Sequence, residues 1–146
     1  MALNQNSFRM EPLKGQKYRD TGDTVSVQIK DADPDLEYVA GECVILDPAA
    51  EGFVVTKGAD ATADFVGVIV TNQLREKFKS GDVVEIAMLG GEVLVEASAA
   101  IAAGALCEYD PATKKVAGAT TGKALLRAMQ AATADGDLIV CKIVLG

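Results

Sequence analysis

A chain of 146 residues with 49 % apolar side chains and a mean hydropathy of +0.19 can bury about two-thirds of its surface as one domain, which excludes a disordered protein. A formal charge of −7 disfavours nucleic acid, whose phosphates need clustered Lys and Arg. The absence of histidine removes Ser-His-Asp and Cys-His catalysis, the HExxH zinc site and imidazole acid–base work together.

The first segment, "MALNQNSFRMEPLKGQKYRD", has no hydrophobic h-region and does not read as a signal peptide, so synthesis in a cytoplasm is expected. No apolar run approaches the roughly 18–20 residues of a membrane span, and no membrane partner is expected. Residues 1–20 carry Arg9, Lys14, Lys17 and Arg19 against Glu11 and Asp20, a charge of +2 ahead of a body at −9. Residues 1–23 are therefore read as an extended N-terminal arm. Two readings stand for it, a polar arm that lies on an acidic protein surface and a frayed terminus.

The body is assigned to residues 24–146. "TVSVQIK" (24–30) alternates apolar and polar side chains, the signature of a half-buried strand. "DADPDLEYVAGE" (31–42) puts Asp31, Asp33, Asp35 and Glu42 at positions 1, 3, 5 and 12 of a calcium loop. Leu36 stands where that loop needs glycine and Pro34 falls inside it, so a solvated acidic turn is the better reading. "AGECVILDP" (40–48) is an apolar strand ending at Asp-Pro, a turn-initiating pair, and "GFVVTKG" (52–58) is its return strand. "VGVIV" (66–70) is a further strand. "TNQLREKFKS" (71–80) is expected to make helical turns, with Arg75, Lys77 and Lys79 either a solvated face or a partner contact. "GDVVEIAM" (81–88) leads through Gly90-Gly91, a tight hairpin, into "EVLVEAS" (92–98).

"ASAAIAAG" (97–104) is expected to form a short helical bend. From residue 103 onward the chain repeats its first half. "AGALCEYDP" (103–111) matches 40–48 at an offset of 63, and 114–120 matches 52–58. "TGKALL" (121–126) is aligned with "VGVIV", Gly122 on Gly67, and "GDLIVCKI" (136–143) with "GDVVEIAM", both at an offset of 55. Two copies of one β unit, about 24–88 and 91–146, are inferred. Many short strands with regular turn signals indicate an all-β sandwich or barrel, antiparallel because hairpins join its strands. "GATTGKA" (118–124) resembles a phosphate-binding loop but has three residues between its glycines and ends in Ala124, so it reads as a turn.

The three cysteines, odd in number and without CxxC spacing, oppose a disulfide framework. In the alignment Cys43 falls on Leu106, Cys107 on Val44 and Cys141 on Ile86. Each thiol replaces an aliphatic side chain, so all three are expected in the core. No catalytic constellation, metal set or cofactor site emerges, and the protein is read as a non-enzyme.

The Asp-Pro turn followed by "KKVAGATTGKALLRA" and the terminal "ADGDLIVCKIVLG", with the first copy "DPAAEGFVVTKGADATADFVGVIV", resemble the capsid decoration (cement) proteins of tailed bacteriophages over residues 24–146. The resemblance implies a small β-barrel or β-tulip domain, usually a homotrimer. It would bind the outer surface of a capsid and clamp neighbouring subunits of the major capsid protein. It also implies an N-terminal clamp, here with Phe8, Met10, Leu13 and Tyr18 as anchors among Arg9, Lys14, Lys17 and Arg19. The location implied is the virion surface. The alternative is an accessory β-barrel that binds a ligand or glycan.

Overall fold

The computed structural model describes residues 14–19, 22–46, 54–57, 67–71, 77–120 and 124–144, with Tyr18, Arg19 and residues 54–57 described by backbone alone. The fold is all-β, as the alternating patterns predict. Its first half contains β1 (Lys17–Arg19), β2 (Thr24–Ile29), β3 (Tyr38–Val39), β4 (Cys43–Leu46), β5 (Val54–Lys57), β6 (Gly67–Val70), β7 (Lys77–Phe78) and β8 (Val83–Ala87). The second contains β9 (Glu92–Glu96), β10 (Leu106–Asp110), β11 (Lys115–Gly118), β12 (Leu126–Ala128) and β13 (Leu138–Ile143).

Strands β2, β5, β4, β6 and β8 close into a barrel in that order. Val27, Ile29, Val44, Ile69, Val84 and Ile86 point into it, and the short β3–β7 pair packs Tyr38 and Phe78 against them. Burying each of these aliphatic side chains is worth roughly 1.5–3 kcal/mol relative to exposure. The second half forms a curled sheet in the order β1-β9-β13-β12-β10-β11. Its inner face carries Val93, Val95, Cys107, Tyr109, Val116, Leu126, Ala128, Ile139, Cys141 and Ile143. Cys43, Val68, Val70 and Ala87, from the outer side of the first barrel, complete that same core. Strand β6 therefore lies between two cores, which is why "GVIV" is apolar throughout and does not alternate.

The pairing of the first half recurs in the second. Strand β4 pairs with β5 and β6, and β6 with β8; β10 pairs with β11 and β12, and β12 with β13, all antiparallel. Registers correspond too: Thr24↔Ala87 has its counterpart in Glu92↔Lys142, and Ile69↔Ile86 in Ala128↔Cys141. Even the parallel closure Ile29↔Val55 recurs, reduced to the single bridge Ala97↔Val116.

The "AG" and "GD" signatures are the shared turns. Gly41 and Gly104 adopt φ of 86° and 85°, and their N–H groups donate to Ile69 O and Ala128 O, both at 2.7 Å. Gly81 and Gly136 adopt φ of 96° and 91° and donate to Ile29 O and Ala97 O. The aspartate after each folds back onto its turn: Asp82 Oδ2 accepts Lys79 N–H at 2.8 Å, and Asp137 Oδ2 accepts Thr133 N–H at 2.8 Å.

Four expectations change. The strand aligned with Gly67 is displaced by four residues, because cross-strand partners place Gly67 opposite Val44 and Leu126 opposite Cys107. Likewise Val55 corresponds to Val116, one residue off the sequence alignment, through Leu46↔Val55 and Tyr109↔Val116. No helix forms over 97–104: Ala97 bridges to Val116 and Ile101 to Ala132, and eight residues are too few for alanine propensity to sustain a helix without packing. Lys77 and Phe78 of the second expected helix lie in β7, and residues 72–76 fall outside the described residues.

The leader also contributes to the body. Gly15 N–H donates to Leu94 O at 2.7 Å, Leu94 N–H to Gln16 O at 2.8 Å, and Thr71 N–H to Gly15 O at 3.0 Å. These bonds tie β1 to the edge of β9 and to the first half at once. A Cβ on Gly15 would stand 2.4 Å from Gly41 N, so only glycine permits this approach.

Candidate functional site

The densest group of charges lies on the seam between the two halves. Its centre is the hairpin of β10 and β11, the "YDPATKK" part of the sequence. Asp110 Oδ1 accepts Ala112 N–H at 2.9 Å, and Lys114 N–H donates to Asp110 O at 2.8 Å, closing the turn that Asp-Pro announces. Lys114 takes φ of 60°, a left-handed conformation that favours glycine. A side chain at that position reaches across the seam. Its Nζ lies 3.6 Å from Glu42 Oε2 and donates to Glu37 O at 3.1 Å.

Glu42, read from sequence as part of a solvated acidic turn, is instead 1 % exposed. Its Oε2 also accepts Val39 N–H at 3.0 Å, which satisfies a carboxylate that burial would otherwise penalise. Lys14 enters from the leader and donates to Lys114 O at 2.6 Å, with Glu96 Oε2 at 3.8 Å. Burial holds the Lys14 ammonium below its ordinary pKa, and the nearby Glu96 and Glu42 carboxylates oppose that shift. Lys115 continues the chain of charges to Glu96 at 3.6 Å and Asp135 at 2.8 Å, and its hydrogen bond to Asp135 raises its pKa. Beneath the ions, the buried Tyr109 hydroxyl points toward the Cys43 backbone without closing a hydrogen bond, and burial pushes its pKa up.

The expected partner-binding residues divide into three groups. Phe8, Arg9, Met10 and Leu13 lie outside the described residues. Lys14 is taken up inside the seam, and Lys17 sits half-buried opposite Val93. Tyr18 and Arg19 are placed by backbone in β1, Arg19 opposite the buried Glu92. Sequence reasoning missed Glu42, Glu92 and Lys114 as interior or seam residues. The one available signal was the Lys114-Lys115 pair immediately after a turn, at a position that more often carries glycine.

The other sequence candidates have structural occupations. Tyr38 donates from its hydroxyl to Asp31 Oδ2 at 2.7 Å; Asp33 N–H donates to Asp31 Oδ1 at 3.0 Å and Asp35 N–H to Asp33 Oδ1 at 2.9 Å. The carboxylates thus build successive Asx turns. Among the described residues no group of three His, Cys, Asp or Glu is placed to hold a metal. Of the phosphate-loop candidate, residues 121–123 fall outside the described residues. Cys43, Cys107 and Cys141 are free and buried in one core, as expected, although the counterpart of Cys43, Leu106, is exposed. Burial raises the Cys43 pKa, and a hydrogen bond to Cys107 together with burial raises that of Cys141, so these two thiols are poor nucleophiles, while the hydrogen bond from Cys141 lowers the pKa of the buried Cys107. Chemically, the site is a clamp: it fixes the leader and both halves in one register. No protein-family model matches the chain, and no curated protein matches it.

Proposed function

We propose that the protein is a non-enzymatic structural component of a tailed-phage virion that binds the outer capsid surface and cements neighbouring subunits of the major capsid protein, acting as a homotrimer. The single observation carrying this reading is the twice-repeated module of an Asp-Pro turn, a short return strand and a closing "GD" strand, in a chain without histidine. A rigid duplicated β body supports it, because a cement needs geometry and many modest contacts and no reacting group. The fixed base of the leader at Lys14 and Gly15 supports it as well. Residues 1–13 are tethered to that point, so binding of Phe8, Arg9, Met10 and Leu13 to the shell would be intramolecular once the body is attached.

The ligand-barrel alternative gains no support from the barrel interior, which Val27, Ile29, Val44, Ile69 and Ile86 fill. The test is co-sedimentation of the full chain with expanded tailed-phage capsids stripped of their own decoration protein, together with the rupture temperature of the shells. Stoichiometric attachment and a higher rupture temperature are expected for a compatible shell. A chain lacking residues 1–13 should stay folded and attach more weakly. Failure to attach to any expanded shell tested, by a folded full-length chain, overturns the reading.

A further inference from the structure

The two halves differ most on one face. On the outer side of the first barrel, Cys43, Val68, Val70 and Ala87 are buried against the second half. The register places Leu106, Arg127, Met129 and Lys142 at the equivalent positions of the second half, and there all four are exposed. Leu106, Arg127 and Lys142 form one row across β10, β12 and β13, through the pairs Leu106↔Arg127 and Arg127↔Lys142. Met129 lies two residues further along the same strand line and is 43 % exposed; Leu106 is 41 % exposed. A solvated cap would carry polar groups at all four positions, yet two are large and apolar.

Arg127 is also pre-oriented, its Nη1 donating to Gly104 O at 2.8 Å. Neither Arg127 nor Lys142 has an ion pair among the described residues. The same chain carries the complement of this face. The loop before β3 presents Asp33, Pro34 and Asp35 to solvent, with Glu37, itself exposed and 3.5 Å from Lys77 Nζ, at its end, and its Asx turns hold it in shape. Cations flanking two apolar anchors on one half and a stiff anionic loop on the other form a matched, non-identical pair in a chain whose net charge is −7.

We infer that the Leu106–Arg127–Met129–Lys142 face is a self-association surface whose occupant is the 31–37 loop of a second copy of this chain. The contact is heterologous, so it repeats head to tail and closes into a ring when the rotation permits. The inference takes the self-association of the proposed function further, and rests on it only in that respect; a capsid plays no part in it.

Sedimentation velocity of the full chain from micromolar to millimolar concentration, at low and high salt, tests it with the protein alone. The wild type should sediment as a multiple of 15.2 kDa and weaken as salt rises. Met129→Asp and the double variant R127E/K142E should each raise the dissociation constant about tenfold or more. D35K/E37K, which leaves the Asx acceptors Asp31 and Asp33 in place, should do the same. Combining R127E/K142E with D35K/E37K should restore association, because the charges are then exchanged in sign. All these side chains are exposed, so circular dichroism should report an unchanged β fold. A monomer at every concentration overturns the inference, as does an oligomer indifferent to the face variants. Loss in both double variants without recovery in the quadruple variant also overturns it, because the two surfaces then do not meet. Capsid attachment by a chain that proves monomeric would leave the proposed function standing and this surface refuted.

Discussion

The two halves share topology, register and turn chemistry, yet one closes on itself and the other does not. The first barrel is sealed by two parallel pairs, Gln28↔Val54 and Ile29↔Val55. The second is held at the same place by Ala97↔Val116 alone, and its core is completed by the outer face of the first. Side-chain volume is redistributed between the two interiors. Ile29, Ile69 and Ile86 stand in the first where the second has Ala97, Ala128 and Cys141, whereas Gly67 stands where the second has Leu126. The open sheet completes its core with Cys43, Val68, Val70 and Ala87 of the first half. One backbone plan thus serves as a self-contained barrel and as a receptor for its twin.

The largest expected effect comes from exchanging equivalent residues of the two outer faces. Val68→Arg places an unpaired cation in the shared core and should cost about 3–5 kcal/mol, lowering Tm by roughly 10 °C. The reciprocal Arg127→Val should change the stability of the monomer by about 0.5 kcal/mol or less, since Arg127 is exposed. Equal losses in thermal unfolding would erase the asymmetry between the faces.

Truncation inside the two cores should follow volume. Ile86→Ala should cost about 2–5 kcal/mol, whereas Cys141→Ala, at the equivalent position, should cost about 1 kcal/mol in urea unfolding. A smaller contrast is expected at the paired turn glycines. Gly104→Ala meets nothing within 4 Å and should cost only the left-handed penalty of about 1–2 kcal/mol. Gly41→Ala has the same φ but would put its Cβ 2.4 Å from Lys14 Cγ and 3.0 Å from Gly15 N. It should exceed its counterpart and loosen the leader, which limited proteolysis near Lys14 would report.

The smallest effect is electrostatic. Hydrogen bonds from Thr133 N–H, the Thr133 hydroxyl and Ala134 N–H hold the Asp137 carboxyl below its ordinary pKa of 3.8. The unfolded chain therefore binds the extra proton in the window between the folded pKa and 3.8. Stability from Asp137 is fully present above that window and is lost as pH falls through it. Asp137→Asn should flatten the dependence of the urea midpoint on pH below about 4. An unchanged slope would remove Asp137 from the acid response.

Much of the fold is legible in the amino-acid sequence. Alternation in 24–30 and 92–98, the "AG", "DP" and "GD" punctuation and the two copies they delimit are local or repeated signals. The burial of Cys107 and Cys141 follows from the copy alignment, whereas Cys43 aligns with the exposed Leu106 and is buried only because the second half covers it. The register of β6 against β12 is not legible, because "GKALLRA" offers apolar residues at both spacings and only cross-strand partners choose between them. The helical reading of 97–104 fails, though a bend at 98–99 is present, because alanine's helical preference is weak beside two bridge pairings.

The seam is least legible. Nothing local marks Glu42 as buried or Lys114 as its cation, because the two are 72 positions apart along the chain (42 to 114) and meet only once both halves are docked. By itself the sequence determined the strands, their turns and the duplication, since these depend on φ preference, side-chain alternation and hydrogen bonding within a few residues. Tertiary structure alone decided which copy closes, which outer face is covered and where the leader is anchored. Those outcomes depend on volumes and charges brought together from distant segments, and chain order does not encode that proximity directly.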